Sequence, residues 1–546
     1  MFYVHMKTLS VAAAVLIGAS ACGPTLPPEQ QLVEDALEAL GGRDRVLAVQ
    51  TLTIEGDEGT TGNFGQNRGA TGDNVAPSAL LDYRREMDVA QRRMSEQYRT
   101  ERRFSFVLPL FDGGSVHTGL DGDAPYNVND DGSQRAGGNA TALQVEFLRH
   151  PLTILRAAVE EGATIGPLMA DGDVDVVDVT TANGHTLALA VDRATKLPHS
   201  VRTETFNGLI GDTAEITYFL DYEEVEGLML PTTIKAVLDE TFEILQREVV
   251  VASNTLGADL SHLEASAEVK EAAASGSGGG GGFGGGFFPG GGGQTPIVVT
   301  ELAPGVHHFG GREASGGFQY NMVLVEFEDH MELFEPSSHG LALQAIETAR
   351  ELFPDKPLTK MIVSHSHSDH AGGARTAVAE GLGLVVHETT KDYFDDLIRR
   401  PFAGGPDHLA MNPAEPQPTV GVADHLRVED ATQTMDIYHI PGAAHADHLL
   451  YLHFPEHGIL VDADMYNMDP GPGCPAPDIW PDSMETGVIA NFNLVWIDSL
   501  YEEIERRGLN VDTHVPIHGV PVAYERLRAY RDEWNEDGSA RLEPCQ

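Results

Sequence analysis

The densest group of potential metal ligands in this chain lies in a short stretch of its C-terminal half. The stretch reads Ser364-His365-Ser366-His367-Ser368-Asp369-His370-Ala371-Gly372-Gly373 and directly follows the apolar segment 359–363. Imidazole and carboxylate groups are ligands that Zn²⁺ prefers, and a loop after a strand can direct alternate side chains at two neighbouring ions. The alternative is a polar, solvated loop, but three histidines and an aspartate so close together are hard to explain structurally. The stretch therefore predicts a metal centre.

Three later motifs complete a family resemblance that this loop begins. HxHxDH is the signature of the metallo-β-lactamase superfamily, which the chain resembles from about Thr295 to its C-terminus. The later motifs are Pro441-Gly442-Ala443-Ala444-His445, Ile459-Leu460-Val461-Asp462-Ala463-Asp464 and Val515-Pro516-Ile517-His518-Gly519. The resemblance implies that one metal ion is held by His365, His367 and His445 and a second by Asp369, His370 and His518, with Asp464 between them.

Several of these assignments have a rival of the same residue type nearby. The rivals are His439 and His448 for His445, Asp462 for Asp464, and His514 for His518. In the family pattern the ligand follows a Pro-Gly turn, ends a strand or precedes a glycine. We therefore expect the rivals to be supporting or surface groups.

Two further segments bear on the site. Where many family members carry Ile-Asp-Thr-Gly at a strand end, this chain has Phe334-Glu335-Pro336-Ser337. That position supports the site rather than binding metal, so the departure affects closeness to any one subfamily more than metal binding. Residues 464–480 are rich in Pro and Gly, and we interpret them as a loop that shapes the substrate pocket or as an ordinary surface loop.

The chemistry that the resemblance implies is hydrolysis by a zinc-dependent enzyme. Two Zn²⁺ ions that share a water lower its pKa towards neutrality and supply hydroxide. Asp369 is expected to orient this nucleophile towards an ester, lactone, thioester or amide-like bond of a small-molecule substrate. One alternative is an iron-dependent oxidoreductase of the same fold, although its flavodiiron members usually carry glutamate where this chain has His367. Another is a lipid- or lipoprotein-binding protein whose hydrolase domain is not catalytic.

Alternating strands and helices are predicted to position these residues. The predicted strands are 321–327, 330–334, 359–363, 449–454 and 458–461, and the predicted helices are 340–352, 371–381, 501–507 and 522–534. Such alternation is typical of an α/β fold. The resemblance implies, more specifically, an αββα metallo-β-lactamase sandwich in residues 297–546.

The N-terminal half has a different pattern, which predicts an α+β domain over residues 22–274 with an antiparallel sheet and a few helices. Helices are predicted at 29–40 and 145–160, and strands at 52–55, 186–191, 200–205, 214–219, 232–237 and 247–251. This order weakly resembles the half-barrel of periplasmic lipoprotein carriers. The half contains no cluster of His, Cys and carboxylate residues, so we interpret it as a supporting or binding module.

Glycine dominates residues 275–296, which separate the two halves. Such a segment cannot bury enough apolar area to offset its chain entropy. The sequence therefore predicts a flexible linker between domains that fold separately.

Residues 1–21 are predicted to be an export signal, with Lys7, an apolar run at 9–17, and small residues before Cys22. This end resembles the bacterial lipobox, although Ala19 occupies the position where leucine is usual. We therefore expect an exported, periplasmic lipoprotein that meets the membrane only through a lipid at Cys22. Ordinary signal cleavage near Ala21 is the alternative. The two other cysteines, Cys474 and Cys545, either form a disulfide or are unrelated thiols.

Charge and length set the remaining bounds. The chain has 35 Lys and Arg residues against 83 Asp and Glu residues, a formal net charge of -48. A phosphate backbone would be repelled by such a surface, so nucleic acid is not expected as a partner. With 546 residues and an apolar fraction of 41%, the chain is long enough for two domains with sizeable cores.

Overall fold

The computed structural model describes residues 26–62, 65, 67–70, 78–103, 114–275, 296–312, 319–443, 445–465, 494–519, 521–525 and 527–528. The predicted export signal with Cys22, almost all of the predicted linker, residues 466–480 of the predicted pocket loop, and Cys474 and Cys545 lie outside these residues. Among the helices that are described, none has the length and apolar character needed to cross a membrane.

The described part of the N-terminal unit, residues 26–275, is built on one antiparallel sheet of 14 strands. Its strands are β1 (Thr51–Thr61), β2 (Ser78–Asp88), β3 (Arg93–Arg102), β4 (Ser115–Asp121), β5 (Ala124–Val128), β6 (Gln134–Ala136), β7 (Thr164–Ile165), β8 (Met169–Asp171), β9 (Val174–Thr180), β10 (Thr186–Asp192), β11 (Pro198–Asn207), β12 (Gly211–Val225), β13 (Leu228–Leu238) and β14 (Ile244–Leu256). The strand order is β6-β5-β4-β3-β2-β1-β14-β13-β12-β11-β10-β9-β7, with β8 also beside β9. The predicted α+β character of this half is confirmed, whereas the half-barrel resemblance stays a prediction.

Among the described residues, five helices accompany this sheet: α1 (Pro28–Leu40), α2 (Arg43–Ala48), α3 (Ala140–Leu148), α4 (Pro151–Ala158) and α5 (Ala267–Ala274). The apolar stripe of α1 lies in the same core as the strands, and α1 ends at Gly41, whose φ of +134° suits glycine. The single helix predicted at 145–160 is wrong, because the chain forms α3 and α4 instead. His150 is extended and Pro151 opens α4, since proline is tolerated in the first turn of a helix but not in its interior.

The C-terminal unit, as far as its residues are described, contains two sheets. The first has seven strands in the order β15 to β21, namely β15 (Val298–Ala303), β16 (Val306–Arg312), β17 (Gln319–Glu326), β18 (Met331–Phe334), β19 (Leu358–Ile362), β20 (Gly383–His387) and β21 (Val420–Val422). The second has six strands in the order β22 to β27, namely β22 (His425–Glu429), β23 (Thr434–His439), β24 (Leu450–Phe454), β25 (Ile459–Asp462), β26 (Thr513–Pro516) and β27 (Val522–Ala523).

Helices accompany both sheets: α6 (His339–Leu352), α7 (Ser368–Ala371), α8 (Ala374–Ala379), α9 (Lys391–Leu397), α10 (His408–Met411) and α11 (Leu494–Arg507). The helix predicted at 371–381 is therefore divided, with α7 ending before Gly372 and α8 beginning after Gly373. A Cβ on Gly373 would lie 2.4 Å from the carbonyl oxygen of Pro336, so this close crossing requires glycine. The helix predicted at 522–534 begins instead with β27, and residues 529–534 lie outside the described part.

The burial pattern of β17 shows how the layers of this unit are arranged. Met322 and Leu324 join a core cluster with apolar residues of α6 and α8. Val323 and Val325 point to the other face and share a cluster with residues of the second sheet. This alternation follows from the two-residue period of a strand, and it buries both faces of the first sheet.

The two units share an interface that the composition of the linker did not indicate. Ile210 and Ile244 of the N-terminal unit lie in the same apolar cluster as Phe402. In the same interface, the carboxylate of Asp212 accepts hydrogen bonds from the backbone N–H groups of Ala403 and Gly404 at 2.9 and 3.0 Å. The units therefore pack together, while their separate folding stays a prediction.

Candidate metal centre

The topology directs four chain segments to one edge of the C-terminal unit. Strands β18 and β19 are parallel, so Glu335 and the HxHxDH loop, which follow them, leave the first sheet on the same side. Strands β25 and β26 are also parallel, so Asp464 and His518 leave the second sheet together. Parallel strands place their carboxyl ends at one edge, which is why residues far apart in the sequence meet here.

The seven residues assigned as ligands lie in two adjoining groups. The first group consists of His365, His367, His445 and Asp464, and the second consists of Asp369, His370 and His518. Within each group the potential donor atoms lie within 4.8 Å of one another. Nε2 of His445 lies 3.0 Å from Nε2 of His365, and Nε2 of His518 lies 3.2 Å from Nε2 of His370. Whether these residues bind metal, and how many ions, stays a prediction.

Asp464 connects the two groups. Its Oδ2 lies 2.9 Å from Nε2 of His445 and 3.0 Å from Nε2 of His370, and its Oδ1 lies 3.0 Å from Nε2 of His518. The residue has a φ of +66°, in the left-handed region that residues other than glycine rarely adopt. A strained backbone that aims a buried carboxylate into a ring of imidazoles is typical of a functional site.

The donor set fits a divalent metal. Burial, reinforced by the neighbouring histidines, holds the pKa of His365 and His367 well below the usual range, and the neutral imidazole is the form that binds metal. Burial alone would raise the pKa of Asp464, but His370 and its neighbours outweigh it and keep this carboxylate ionised. The Nδ1 atom of His367 is buried and has no hydrogen-bond partner within the described part of the chain.

Groups behind the ligands fix their orientation. Oγ of Ser364 lies 2.9 Å from Nδ1 of His365, and Oε2 of the buried Glu335 lies 3.4 Å from Nδ1 of His370. Nε2 of His367 donates to the backbone carbonyl of Asn67 at 2.8 Å. Partners of this kind hold the ring of a metal-binding histidine and set its tautomer. The supporting position of Glu335 was expected, but the role of Asn67 was missed, since nothing in the sequence links it to this loop.

The rivals lie beside the ligand loops rather than in either group. Nε2 of His439 donates to the carbonyl of Asp447 at 3.0 Å, and Nε2 of His448 accepts the backbone N–H of Ser366 at 3.0 Å. Asp462 contacts His514 and accepts the backbone N–H of Met465 at 3.0 Å. These contacts support the turns that carry the assigned ligands.

Two residues of β17 hold the last ligand segment, namely Asn321, the first residue of the predicted strand 321–327, and Tyr320, which lies just before that predicted strand. The side-chain amide of Asn321 donates to the carbonyls of Pro516 and Gly519 at 2.8 and 2.7 Å, on either side of His518. The ring of Tyr320 meets the His518 ring edge-on, with 4.7 Å between centroids. An asparagine directly before the apolar run 322–325 was the available signal.

Residues 315–485 match the sequence model of the metallo-β-lactamase superfamily, and this part of the chain is similar to that superfamily. The resemblance that the HxHxDH loop predicted is thereby confirmed. His518 lies beyond the matched residues. The fold of that superfamily binds metal ions.

Comparison with solved structures gives matches over less than half of the chain. A metallo-β-lactamase from Pontibacter korlensis is 15% identical, with 43% of this chain and 97% of that chain covered and a TM-score of 0.31. A metallo-β-lactamase from Pseudomonas aeruginosa in its mono-zinc form is 17% identical, with 44% and 94% covered and a TM-score of 0.31. A flavoprotein from Thermotoga maritima is 18% identical, with 44% and 61% covered and a TM-score of 0.33. No curated protein matches the chain.

Proposed function

We propose that this chain is a zinc-dependent hydrolase with two ions per chain, acting on an ester, lactone, thioester or amide-like bond of a small molecule. The observation that carries the proposal is the position of Asp464, whose two carboxylate oxygens face both ligand groups at 2.9–3.0 Å. The αββα sandwich is part of the proposal, and the apolar cluster that the two sheets share supports it. Five imidazoles and two carboxylates match the ligand preference of zinc.

In this mechanism His365, His367 and His445 would hold one ion and Asp369, His370 and His518 the other, and Asp464, which lies between the two groups, would be available to both. When bound, the two ions lower the pKa of a shared water and polarise the oxygen of the scissile bond. The side chain of Asp369 is 22% exposed and that of His518 13%, whereas those of His365 and His370 are fully buried. Substrate therefore approaches from the side of Asp369 and His518.

Besides its position as a ligand, Asp369 has a second role, which is to orient the attacking water. Its pKa lies well below the usual range, because His370 and His518 outweigh the effect of burial, so the side chain is an acceptor only. A carboxylate of this kind accepts a hydrogen bond from the attacking water and orients its lone pair towards the substrate. Its loss would remove both a ligand and this orientation.

Metal analysis combined with a substrate panel tests the proposal. The purified full chain should contain about two zinc ions and should hydrolyse at least one of a set of chromogenic ester, lactone, thioester, β-lactam, phosphodiester and sulfate substrates. Iron in place of zinc, together with oxygen consumption, would favour the oxidoreductase of the same fold. If the purified chain bound no metal ion, both the zinc hydrolase and the iron oxidoreductase would be ruled out.

The proposal also includes the cellular location of the protein. An exported chain anchored by a lipid at Cys22 would hold its substrate-binding half in the periplasm, with no other contact to the membrane. Replacing Cys22 with Ala should move the protein from the membrane fraction to the soluble periplasmic fraction. Unchanged fractionation, with no lipid label on the wild type, would favour ordinary cleavage near Ala21.

A further inference from the structure

A short part of the N-terminal unit contacts the two loops that carry the histidines of the first ligand group. We name its described residues, Gly65 and 67–70, the bridging segment. It lies between β1 and β2 in the chain, with a separation of 300 residues between Asn67 and His367 and of 375 residues between Arg68 and Ala443. The contacts are backbone hydrogen bonds as well as side-chain contacts, so they fix the relative position of the two units at the metal centre.

On the HxHxDH loop, the bridging segment makes two hydrogen bonds. The carbonyl of Gly65 accepts the backbone N–H of Ser368 at 2.8 Å. The carbonyl of Asn67 accepts the Nε2–H of His367 at 2.8 Å. Because a neutral imidazole has one N–H, this bond puts the proton on Nε2 and leaves the lone pair of Nδ1 for a metal ion.

The bridging segment makes two more hydrogen bonds to the loop before β24. The carbonyl of Arg68 accepts the backbone N–H of Asp447 at 3.2 Å, and its Nη2 donates to the carbonyl of Ala443 at 3.3 Å. Asp447 and Ala443 lie two residues to either side of His445. The segment therefore ties the loop of His367 to the loop of His445.

The bridging segment is itself fixed to the N-terminal sheet. Nδ2 of Asn67 donates to the carbonyl of Leu245 in β14 at 3.3 Å. Ala70 is buried in an apolar cluster with Ile210 and Ile244. Restraint by a sheet makes the carbonyl of Asn67 a fixed acceptor rather than a group that follows the imidazole.

From these contacts we infer that the N-terminal unit positions the first ligand group, with the Asn67 carbonyl acting on His367 from behind. The inference rests on the proposed metal centre and assigns the N-terminal unit a role in it. Removal of such outer partners weakens metal binding about 10–100-fold in known metal sites. The metal affinity of this chain should thus depend on residues outside its metallo-β-lactamase half.

Gly65→Val in the full-length protein tests the inference. Gly65 has a φ of +101°, and a Cβ there would lie 3.0 Å from Cβ of Ser368 and 2.9 Å from Cδ1 of Leu209. A valine should push the segment away from both loops. We expect one zinc ion to bind about 10–100-fold more weakly by chelator competition, and the visible absorption of the cobalt-loaded protein to change, because that spectrum reports ligand geometry.

Matched variants separate this effect from general damage. Gly122→Val introduces the same side chain at a φ of +62° with no atom within 4 Å of the new Cβ, and Asp212→Ala removes an interface contact away from the ligand loops. Both should bind zinc as the wild type does, within about twofold. If Gly65→Val impairs folding, Arg68→Ala replaces it as the test, with a smaller expected loss in the same direction.

The outcomes distinguish the inference from the proposed function. Wild-type zinc affinity and an unchanged cobalt spectrum in folded Gly65→Val and Arg68→Ala would overturn the inference while the hydrolase proposal stands. Equal losses in Gly122→Val or Asp212→Ala would overturn it as well, since the effect would then not belong to the bridging segment. A full-length wild-type chain that binds no metal would overturn the proposed function itself.

Discussion

Oε2 of Glu335 lies 3.4 Å from Nδ1 of His370, and both side chains are fully buried. Glu335 follows β18 with a φ of +80°, and its backbone N–H donates to the carbonyl of Ile362 at 2.9 Å. Burial raises the pKa of this carboxyl group, although the nearby His370 opposes the shift. An acidic group held in strained backbone behind a ligand histidine orients that ring and increases its basicity.

Replacing Glu335 with Gln should therefore weaken the binding of one metal ion about 10–100-fold, because the amide keeps the size of the carboxylate but not its charge. Chelator competition measures the affinity. Glu332→Gln is the matched control, since Glu332 is equally buried but pairs with Lys360 at 2.8 Å. That control should lower stability without changing the affinity. If the two variants bind metal equally well, Glu335 has no orienting role.

Asp369→Asn should abolish hydrolysis while largely preserving the fold. The substitution removes the negative charge of a ligand and the acceptor that orients the attacking water. Turnover of whichever panel substrate the wild type hydrolyses measures the first effect, and far-UV circular dichroism and the thermal midpoint measure the second. Asp355→Asn, at an exposed residue, is the control and should retain full activity. Substantial turnover by Asp369→Asn would remove Asp369 from the mechanism.

Alanine variants of neighbouring histidines should separate ligands from supports. His445→Ala should lose one metal ion, because its Nε2 lies 2.9 Å from Asp464. His448→Ala should keep both ions but lose about 1–3 kcal/mol of stability, since the buried N–H of Ser366 loses its acceptor. Metal analysis measures the number of bound ions, and unfolding in denaturant measures the stability. The reverse pattern would exchange the roles of the two residues.

Acid should destabilise the N-terminal unit through His150. Burial lowers the pKa of His150 from 6.5 to about 3. A histidine with a lowered pKa contributes stability that is complete above pH 6.5 and is lost as the pH falls towards 3, because only the unfolded chain takes up the proton. Between pH 7 and pH 5 this loss amounts to about 2 kcal/mol.

His150→Asn tests that contribution. Nδ1 of His150 caps α4 by accepting the N–H of Leu152 at 3.3 Å, and asparagine is among the favoured N-cap residues. The free energy of unfolding of the N-terminal unit, measured in denaturant at pH 7 and pH 5, should fall by about 2 kcal/mol less in the variant. An identical fall in both proteins would show that His150 does not govern this pH dependence.

Short-range patterns in the sequence were sufficient to predict the family resemblance and the side chains that the structure brings together in the two ligand groups. The HxHxDH loop, the Pro-Gly turn before His445 and the glycine after His518 each lie within a few residues of the ligand that they mark. Helix α1 was equally predictable, because its apolar spacing and its terminal glycines are local. The break between α3 and α4 was missed although Pro151 signals it.

Tertiary structure decided which distant groups meet. The carboxylate of Asp464 faces both ligand groups because β25 and β26 are parallel and leave their sheet at one edge. The carbonyl of Asn67 reaches His367 only because the N-terminal sheet packs against the other unit. A backbone carbonyl is present in every residue and carries no sequence signal, so its role depends entirely on the position that long-range packing gives it.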